Sequence, residues 1–192
     1  MPGELIRTFI ALELEDSIKD KIKAIQDTIK SSNAIKGSWV SKDNLHLTLK
    51  FLGDTKLKYV EGIKQSIKDC LKDQIPIKCL LNRIGCFPNE KSARVIWAGL
   101  DDKDNQIANL AKRLENSLFE FGFKKEKRDF KNHITICRPR QIPNPNQLSL
   151  LIEEINKNIK PLEFTISKIT FFESQLTPQG SIYTPLSSIS LK

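Results

Sequence analysis

No stretch of the 192-residue chain is apolar for long enough to span a membrane. The acidic residues Glu4, Glu13, Glu15 and Asp16 near its start do not suit a signal or transit peptide, so the expected location is the cytoplasm. Cysteine is sparse: the four at 70, 79, 86 and 137 have no C-x-x-C spacing and read as reduced thiols. The 8 glycines and 9 prolines are scattered, which excludes collagen-like sequence and long flexible linkers. A phosphate-binding P-loop, a glycine-rich nucleotide fingerprint and Gly-x-Ser-x-Gly are all missing, leaving ATP-driven and serine-hydrolase chemistry without support. Histidine is scarcest of all, with only His46 and His133. Neither has the close His, Cys or carboxylate companions of a zinc site, so no metal and no other cofactor is expected.

What is present is a Lys-rich globular composition, 39% apolar, with a net charge of +8 that suits a polyanionic partner. A strand is expected over Glu4 to Leu14, then a helix with Ile18, Ile22, Ile25 and Ile29 on one face. A strand around Leu45 to Leu52 follows, then a helix striped by Val60, Ile63, Ile67 and Leu71 that ends before Pro76, then a strand through Ile84. The second half repeats this order. Arg94-Val-Ile-Trp-Ala98 lies 87 residues after Arg7-Thr-Phe-Ile-Ala11, and His133 lies 87 after His46. The helix stripe recurs at Leu148, Leu151, Ile155 and Ile159, and Pro76, Ile84 and Phe87 match Pro161, Ile169 and Phe172. The pattern predicts a duplication, with equivalent residues facing each other across a cleft.

The chemistry concentrates on two short strands. In Asn44-Leu-His46-Leu-Thr48-Leu-Lys50-Phe51, strict alternation puts His46, Thr48 and Lys50 on one face and the apolar residues, Phe51 included, on the other. Asn132-His133-Ile-Thr135-Ile-Cys137 alternates likewise and pairs His133 with Thr135. The chain has 9 threonines, so both histidines having Thr two positions on has a chance probability of about 1 in 450. Two imidazoles across a cleft can divide acid and base work near neutral pH, as phosphodiester cleavage requires. Each threonine hydroxyl can donate to a non-bridging phosphate oxygen. Arg138 offers a charge-assisted phosphate contact, but it has the wrong parity for the His133 face unless the strand ends or bulges near Cys137.

These motifs resemble the 2H phosphoesterase superfamily, most closely its RNA 2′,3′-cyclic phosphodiesterase branch, the LigT-like or 2′-5′ RNA ligase proteins. The likeness covers most of the chain. It includes Arg7-Thr-Phe-Ile-Ala, Trp39 ahead of His46-Leu-Thr-Leu-Lys-Phe-Leu-Gly53, Phe87-Pro88, Arg94-Val-Ile-Trp-Ala-Gly99, His133-Ile-Thr-Ile-Cys-Arg138, and Ser174 with Gly180 and Tyr183. One departure is Asn132, where proline is common before the second histidine. The resemblance implies an α+β bilobal fold of two small, mostly antiparallel sheets flanked by helices, in one domain over 1–192 with repeats at roughly 5–87 and 92–172. It implies His46 as proton donor to the departing ribose oxygen, His133 as the base that activates water, and Arg138 as a phosphate ligand, with Tyr183 a further substrate contact. The implied reaction is hydrolysis of RNA 2′,3′-cyclic phosphate ends to 2′-phosphates, accompanied by reversible 2′-5′ RNA ligation.

The expected partner is RNA with such ends, tRNA fragments included, met by a monomer with no membrane attachment. Two alternatives keep different parts of this reading. One is a phosphodiesterase for small cyclic phosphates; the other is a non-catalytic RNA-binding module in which Phe87, Trp97 and Tyr183 stack on bases.

Overall fold

The computed structural model describes residues 4–178 and 180–192. In chain order the strands are β1 (Leu5–Glu13), β2 (Lys36–Trp39), β3 (His46–Lys56), β4 (Ile77–Phe87), β5 (Val95–Asp102), β6 (His133–Gln141), β7 (Leu162–Ile166), β8 (Lys168–Thr177) and β9 (Gly180–Ser190). The α-helices are α1 (Asp16–Ser31), α2 (Val60–Cys70), α3 (Gln106–Leu118) and α4 (Pro145–Asn158). The α+β class expected from sequence is the one found.

All strand pairs are antiparallel and run in the order β7-β4-β5-β6-β3-β1-β8-β9, with β2 added along β6. The two expected sheets are thus two halves of one. They join at β3 and β6 through a single residue pair, Leu47 with Ile134. Each half borrows a strand from the other half of the sequence, since β4 pairs with β5 and β8 pairs with β1. Reading outward from the join, β3, β1 and β8 on one side mirror β6, β5 and β4 on the other.

The mirror is one residue away from the sequence offset on β1 and β5. Glu13 lies opposite His46 and Gly99 opposite His133, a spacing of 86 rather than 87. Register breaks at Ile10/Ala11 and Ile96/Trp97 agree with the same spacing. The bulges are matched and cancel; the segment from Gly99 to His133 is one residue longer than that from Glu13 to His46, which apolar patterns alone do not reveal.

Packing follows the amphipathic stripes. Helix α1 buries Ile18, Ile22 and Ile29; α2 buries Val60, Ile63 and Ile67; α4 buries Leu148 and Ile152. Helix α3, which has no counterpart among the sequence expectations, buries Ile107, Leu110, Ala111, Leu114 and Leu118. It packs on β3, and α1 reaches β6. Leu47 and Ile134, both fully buried, point to this core. Their neighbours His46, Thr48, His133 and Thr135 therefore share the opposite face. Strands β2 and β9 are also additional to the expected set, and the strand expected after Pro161 is divided at Ser167 into β7 and β8.

Candidate active site

The histidines are held alike. His46 Nδ1 donates to the Asn44 carbonyl at 2.7 Å, and His133 Nδ1 donates to the Lys131 carbonyl at 2.7 Å. A carbonyl only accepts, so in both neutral rings the proton sits on Nδ1 and Nε2 carries the lone pair. Asn44 is itself anchored, since its Nδ2 donates to the Ser181 carbonyl of β9 at 2.7 Å. This strut between His46 and β9 is a positioning residue that sequence reading did not single out, because its partner lies 137 residues away.

The rings differ in their surroundings. His46 Nε2 accepts a bond from the Thr48 hydroxyl at 2.9 Å. It packs against Phe9 at 4.9 Å and meets Tyr183 edge-on at 5.4 Å. Burial holds its pKa down at about 4, against the stabilising Asn44 carbonyl, with the positive charges of His133 and Arg138 adding to the depression. His133 touches Phe87 edge-on at 5.2 Å, and burial followed by the Arg138 charge moves its pKa below the ordinary histidine value. Both imidazoles of the free protein are therefore neutral at pH 7.

Arg138 reaches the histidine face through a bulge. Thr135 lies opposite Trp97 and Cys137 opposite Ile96, so Ile136 is an extra residue on β6. Ile136 and Cys137 are consecutively buried, the alternation changes phase, and Arg138 emerges exposed on the side of His133. The stray Ile136 carbonyl accepts from the Val40 amide at 3.1 Å and from Gln26 Nε2 of α1 at 2.7 Å. Gln26 also donates to the Val40 carbonyl at 2.9 Å, and it is almost wholly buried. Gln26→Leu should therefore lower stability by about 1–3 kcal/mol, because a buried and a half-buried carbonyl each lose a donor. It should also weaken inorganic phosphate binding severalfold by loosening Arg138. Urea unfolding and phosphate titration measure the two effects, and an unchanged unfolding midpoint would contradict the first.

The matching bulge on β3 overturns part of the expected alternation. Phe9 lies opposite Phe51, Ile10 opposite Lys50 and Ala11 opposite Thr48, so Leu49 is the extra residue. Beyond it the faces exchange. Lys50 turns to the helices, where it pairs with Glu115 of α3 and donates to the Lys124 carbonyl at 2.7 Å. Phe51 turns to the histidine face, 49% exposed, stacked on Phe9 at 6.4 Å and covered by Arg7 at 4.7 Å. Phe9, Phe51, Phe172 and Tyr183 form an aromatic wall on the His46 side; of these the sequence pointed to Tyr183 alone as a substrate contact and to Phe51 as a core residue.

On the other side, Phe87, Trp97, Arg83, Lys131, Asn132 and His133 line a cavity of about 600 Å³. Cys79, Cys86 and Cys137 are buried, and burial pushes their thiols up to about 12, where they are inert. Among the described residues no three His, Cys, Asp or Glu side chains converge as a metal ion would need. Among the described residues no helix is long and apolar enough to cross a membrane.

A face carrying two tethered imidazoles, two hydroxyls and a guanidinium defines a phosphoester-processing protein of the two-histidine kind. The chain belongs to the LigT-like phosphoesterase family. The family's sequence model, described as LigT like Phosphoesterase, matches residues 12–97 and 100–183, segments that each contain one His-x-Thr pair. The chain is similar to an RNA 2′,3′-cyclic phosphodiesterase of Methanocaldococcus jannaschii, 37% identical over 93% of this chain and 96% of that protein. It is 33% identical to the RNA 2′,3′-cyclic phosphodiesterase of Methanothermobacter thermautotrophicus over 94% of this chain and 96% of that protein. Among solved structures, a Thermus thermophilus protein superposes with a TM-score of 0.79 at 25% identity, covering 97% of this chain and 98% of the other. Escherichia coli LigT complexed with 3′-AMP shares the fold, with a TM-score of 0.76 at 24% identity over 98% of this chain and 99% of that one.

Proposed function

We propose that this protein hydrolyses 2′,3′-cyclic phosphodiester ends of RNA to 2′-phosphates by two-histidine acid–base catalysis. The observation that carries the proposal is the presentation of both Nε2 atoms on one sheet face, each ring fixed through Nδ1 to the carbonyl two residues before it. The names of the archaeal relatives supply the substrate class. The net charge of +8 favours RNA over a small neutral ligand.

His133 Nε2 takes a proton from water as the oxygen attacks phosphorus, and His46 Nε2–H gives one to the departing ribose 3′-oxygen. His46 is neutral in the free protein, so the anionic phosphate must raise the imidazole's pKa on arrival, the ring taking its proton from solvent. Thr48 then exchanges its bond to His46 for one to a phosphate oxygen, and Thr135 donates to the phosphate from the opposite strand. Arg138 faces the charge that accumulates on the non-bridging oxygens. Tyr183 and the aromatic wall around it seat the nucleoside beside His46. An RNA 5′-hydroxyl in place of water makes a 2′-5′ linkage by the same proton transfers, and cleavage of that linkage back to the cyclic phosphate is the reverse of this ligation.

Both histidines come from one chain, so a monomer suffices, working as one domain of two related lobes. Substrates such as tRNA fragments place it in the cytoplasm, and the reaction draws on no metal or other cofactor.

Incubation of a 2′,3′-cyclic-phosphate oligonucleotide with the protein in excess chelator should yield a 2′-phosphate by phosphorus NMR. A 3′-phosphate product would refute the assigned polarity. The pH dependence follows from the depressed imidazoles. The productive free enzyme has one ring protonated and one neutral, and both pKa values lie below 6.5. The bell of kcat/KM should therefore peak below pH 6.5 and fall about tenfold per unit where one proton is lost on its alkaline side. The kcat profile should peak at higher pH, because bound phosphate raises both rings. A kcat/KM optimum above pH 7 would contradict this account.

A further inference from the structure

The two histidine strands are flanked differently where the halves of the sheet diverge. Past its bulge, β6 is covered by β2, which runs from Lys36 opposite Gln141 to Trp39 opposite Cys137. Gly37 permits this close seating, since a Cβ there would come within 2.5 Å of the Arg138 carbonyl oxygen. The mirror position on β3 has no such cover. From Phe51 to Lys56, β3 is paired with β1 along one edge, and its other edge has no strand partner among the described residues.

The chain that could fill that place is the connection from α3 to β6. It leaves a left-handed Gly122, as the chain into β2 leaves a left-handed Asn33, and then runs Phe123-Lys-Lys-Glu-Lys-Arg128. Crowded like charges disfavour a ladder, and the segment passes β3 with no backbone hydrogen bond to it among the described residues. Side chains hold it instead: Lys50 donates to the Lys124 carbonyl at 2.7 Å, and the Glu126 amide donates to Glu115 at 2.6 Å. Between this segment and the bare edge lies a cavity of about 480 Å³, lined in part by Phe51, Asp54, Lys56, Tyr59, Phe123 and Lys124.

This bay is continuous with the aromatic wall beside His46, because Phe51 belongs to both. Arg7 stands two residues before Phe9 on the same face of β1 and lies over the Phe51 ring at 4.7 Å. It has no ion-pair partner among the described residues. Residues 124–131 hold five cations against Glu126 and Asp129, a net +3 of the chain's +8, and 124–129 are exposed throughout. Within the lining, Lys56 and Lys124 outnumber Asp54. The other end of the wall offers an anionic chain much less. Strands β8 and β9 there carry Lys168 as their sole cation, and Glu13 pairs with it at 3.2 Å.

We propose that this bay receives the RNA chain upstream of the cyclic end. Arg7 and Lys124 meet the phosphates that link the last nucleotides, and the penultimate base lies against Arg7 and Phe51. A guanidinium on an aromatic ring is a stacking surface for a base, and its donors match phosphate oxygens. The lysines supply charge on flexible stems to a backbone that is itself flexible. The bay makes a single-stranded RNA end a better substrate than a cyclic mononucleotide. The inference deepens the proposed function and rests on its reading of the two histidines.

The test compares kcat/KM for a 2′,3′-cyclic mononucleotide with that for a trinucleotide carrying the same cyclic end, between about 50 and 200 mM salt. At low salt the wild type should favour the trinucleotide about tenfold, the order expected for one stacked base, and mainly through KM. Each phosphate contact to a single strand adds about 0.7 to the fall of log affinity with log salt. Arg7→Ala and Lys124→Ala should each remove about that much from the trinucleotide's slope, while turnover of the mononucleotide stays at the wild-type level. Equal kcat/KM for the two substrates in the wild type overturns the bay as a subsite. So do variants that lower both substrates alike, or that leave the trinucleotide's rate and slope unmoved. A wild-type protein that turns over neither substrate would instead overturn the underlying reading of the histidines.

Discussion

Replacing either His46 or His133 by alanine should lower kcat/KM for a 2′,3′-cyclic phosphate about a thousandfold, with the fold kept. General acid and general base catalysis are each worth about 10²–10⁴ in rate. Neither imidazole has a substitute close by, since the other ionisable group acting on both rings is Arg138, whose guanidinium is no proton-transfer group. The double variant should be little worse than the weaker single one, because a proton taken without a proton given leaves the transition state uncompensated. The pH profiles carry the assignment. His46→Ala should remove the limb on which the proton donor must stay protonated, and His133→Ala the limb on which the base must be free. Full activity in both single variants would remove the histidines from the mechanism altogether. Thermal unfolding should show His46→Ala to be near neutral or only mildly destabilising, because an uncharged ring in the wild type leaves no buried ion behind.

Much of this was legible because the chemistry sits on strands with a strong period. His46, Thr48, His133 and Thr135 alternate with buried Leu47, Leu49, Ile134 and Ile136, so their shared face follows from the pleat. What alternation cannot supply is a change of phase. The extra residues at Leu49 and Ile136 exchange the faces of the residues just after them, which is why Lys50 leaves the site and Phe51 and Arg138 enter it. A doubled buried residue, such as Ile136-Cys137, is the available signal for such a bulge, and Pro139 close behind it was a fair hint.

Long-range pairings were less legible. The exchange of β4 and β8 between halves joins segments that sequence order sets apart, and nothing local in Gly85 or Gly99 announces that the Trp97 indole will lie across them. The stripe of α3, Ile107, Leu110, Leu114 and Leu118, has the regular spacing of the other helices. It lies between the matched segments Arg94–Ala98 and His133, where no residue pairs with the first half at the shared offset. Asn44 and Gln26 act through partners 137 and 110 residues distant, so their roles exist only once the sheet is assembled.

Arg138→Ala should cost about a hundredfold in kcat/KM, the second largest effect expected. The cyclic phosphate arrives with one negative charge and gains another as the attacking oxygen bonds, and removing a donor aimed at such charge costs on the order of 10²–10³ in rate. Part of the loss should appear in KM, because Arg138 meets the ground-state anion too. The larger part should appear in kcat. Arg138→Lys should recover only some of it, since an ammonium keeps the charge but not the planar fork that can hold two oxygens at once. The substitution has a second, opposing consequence. Arg138 depresses both imidazoles, so its removal should raise their pKa values and move the kcat/KM optimum toward neutral pH. A merely structural arginine would lower activity without moving that optimum. In Arg138→Ala the two effects have opposite signs above the optimum, and the deficit against wild type should therefore narrow as the pH rises from 6 to 8.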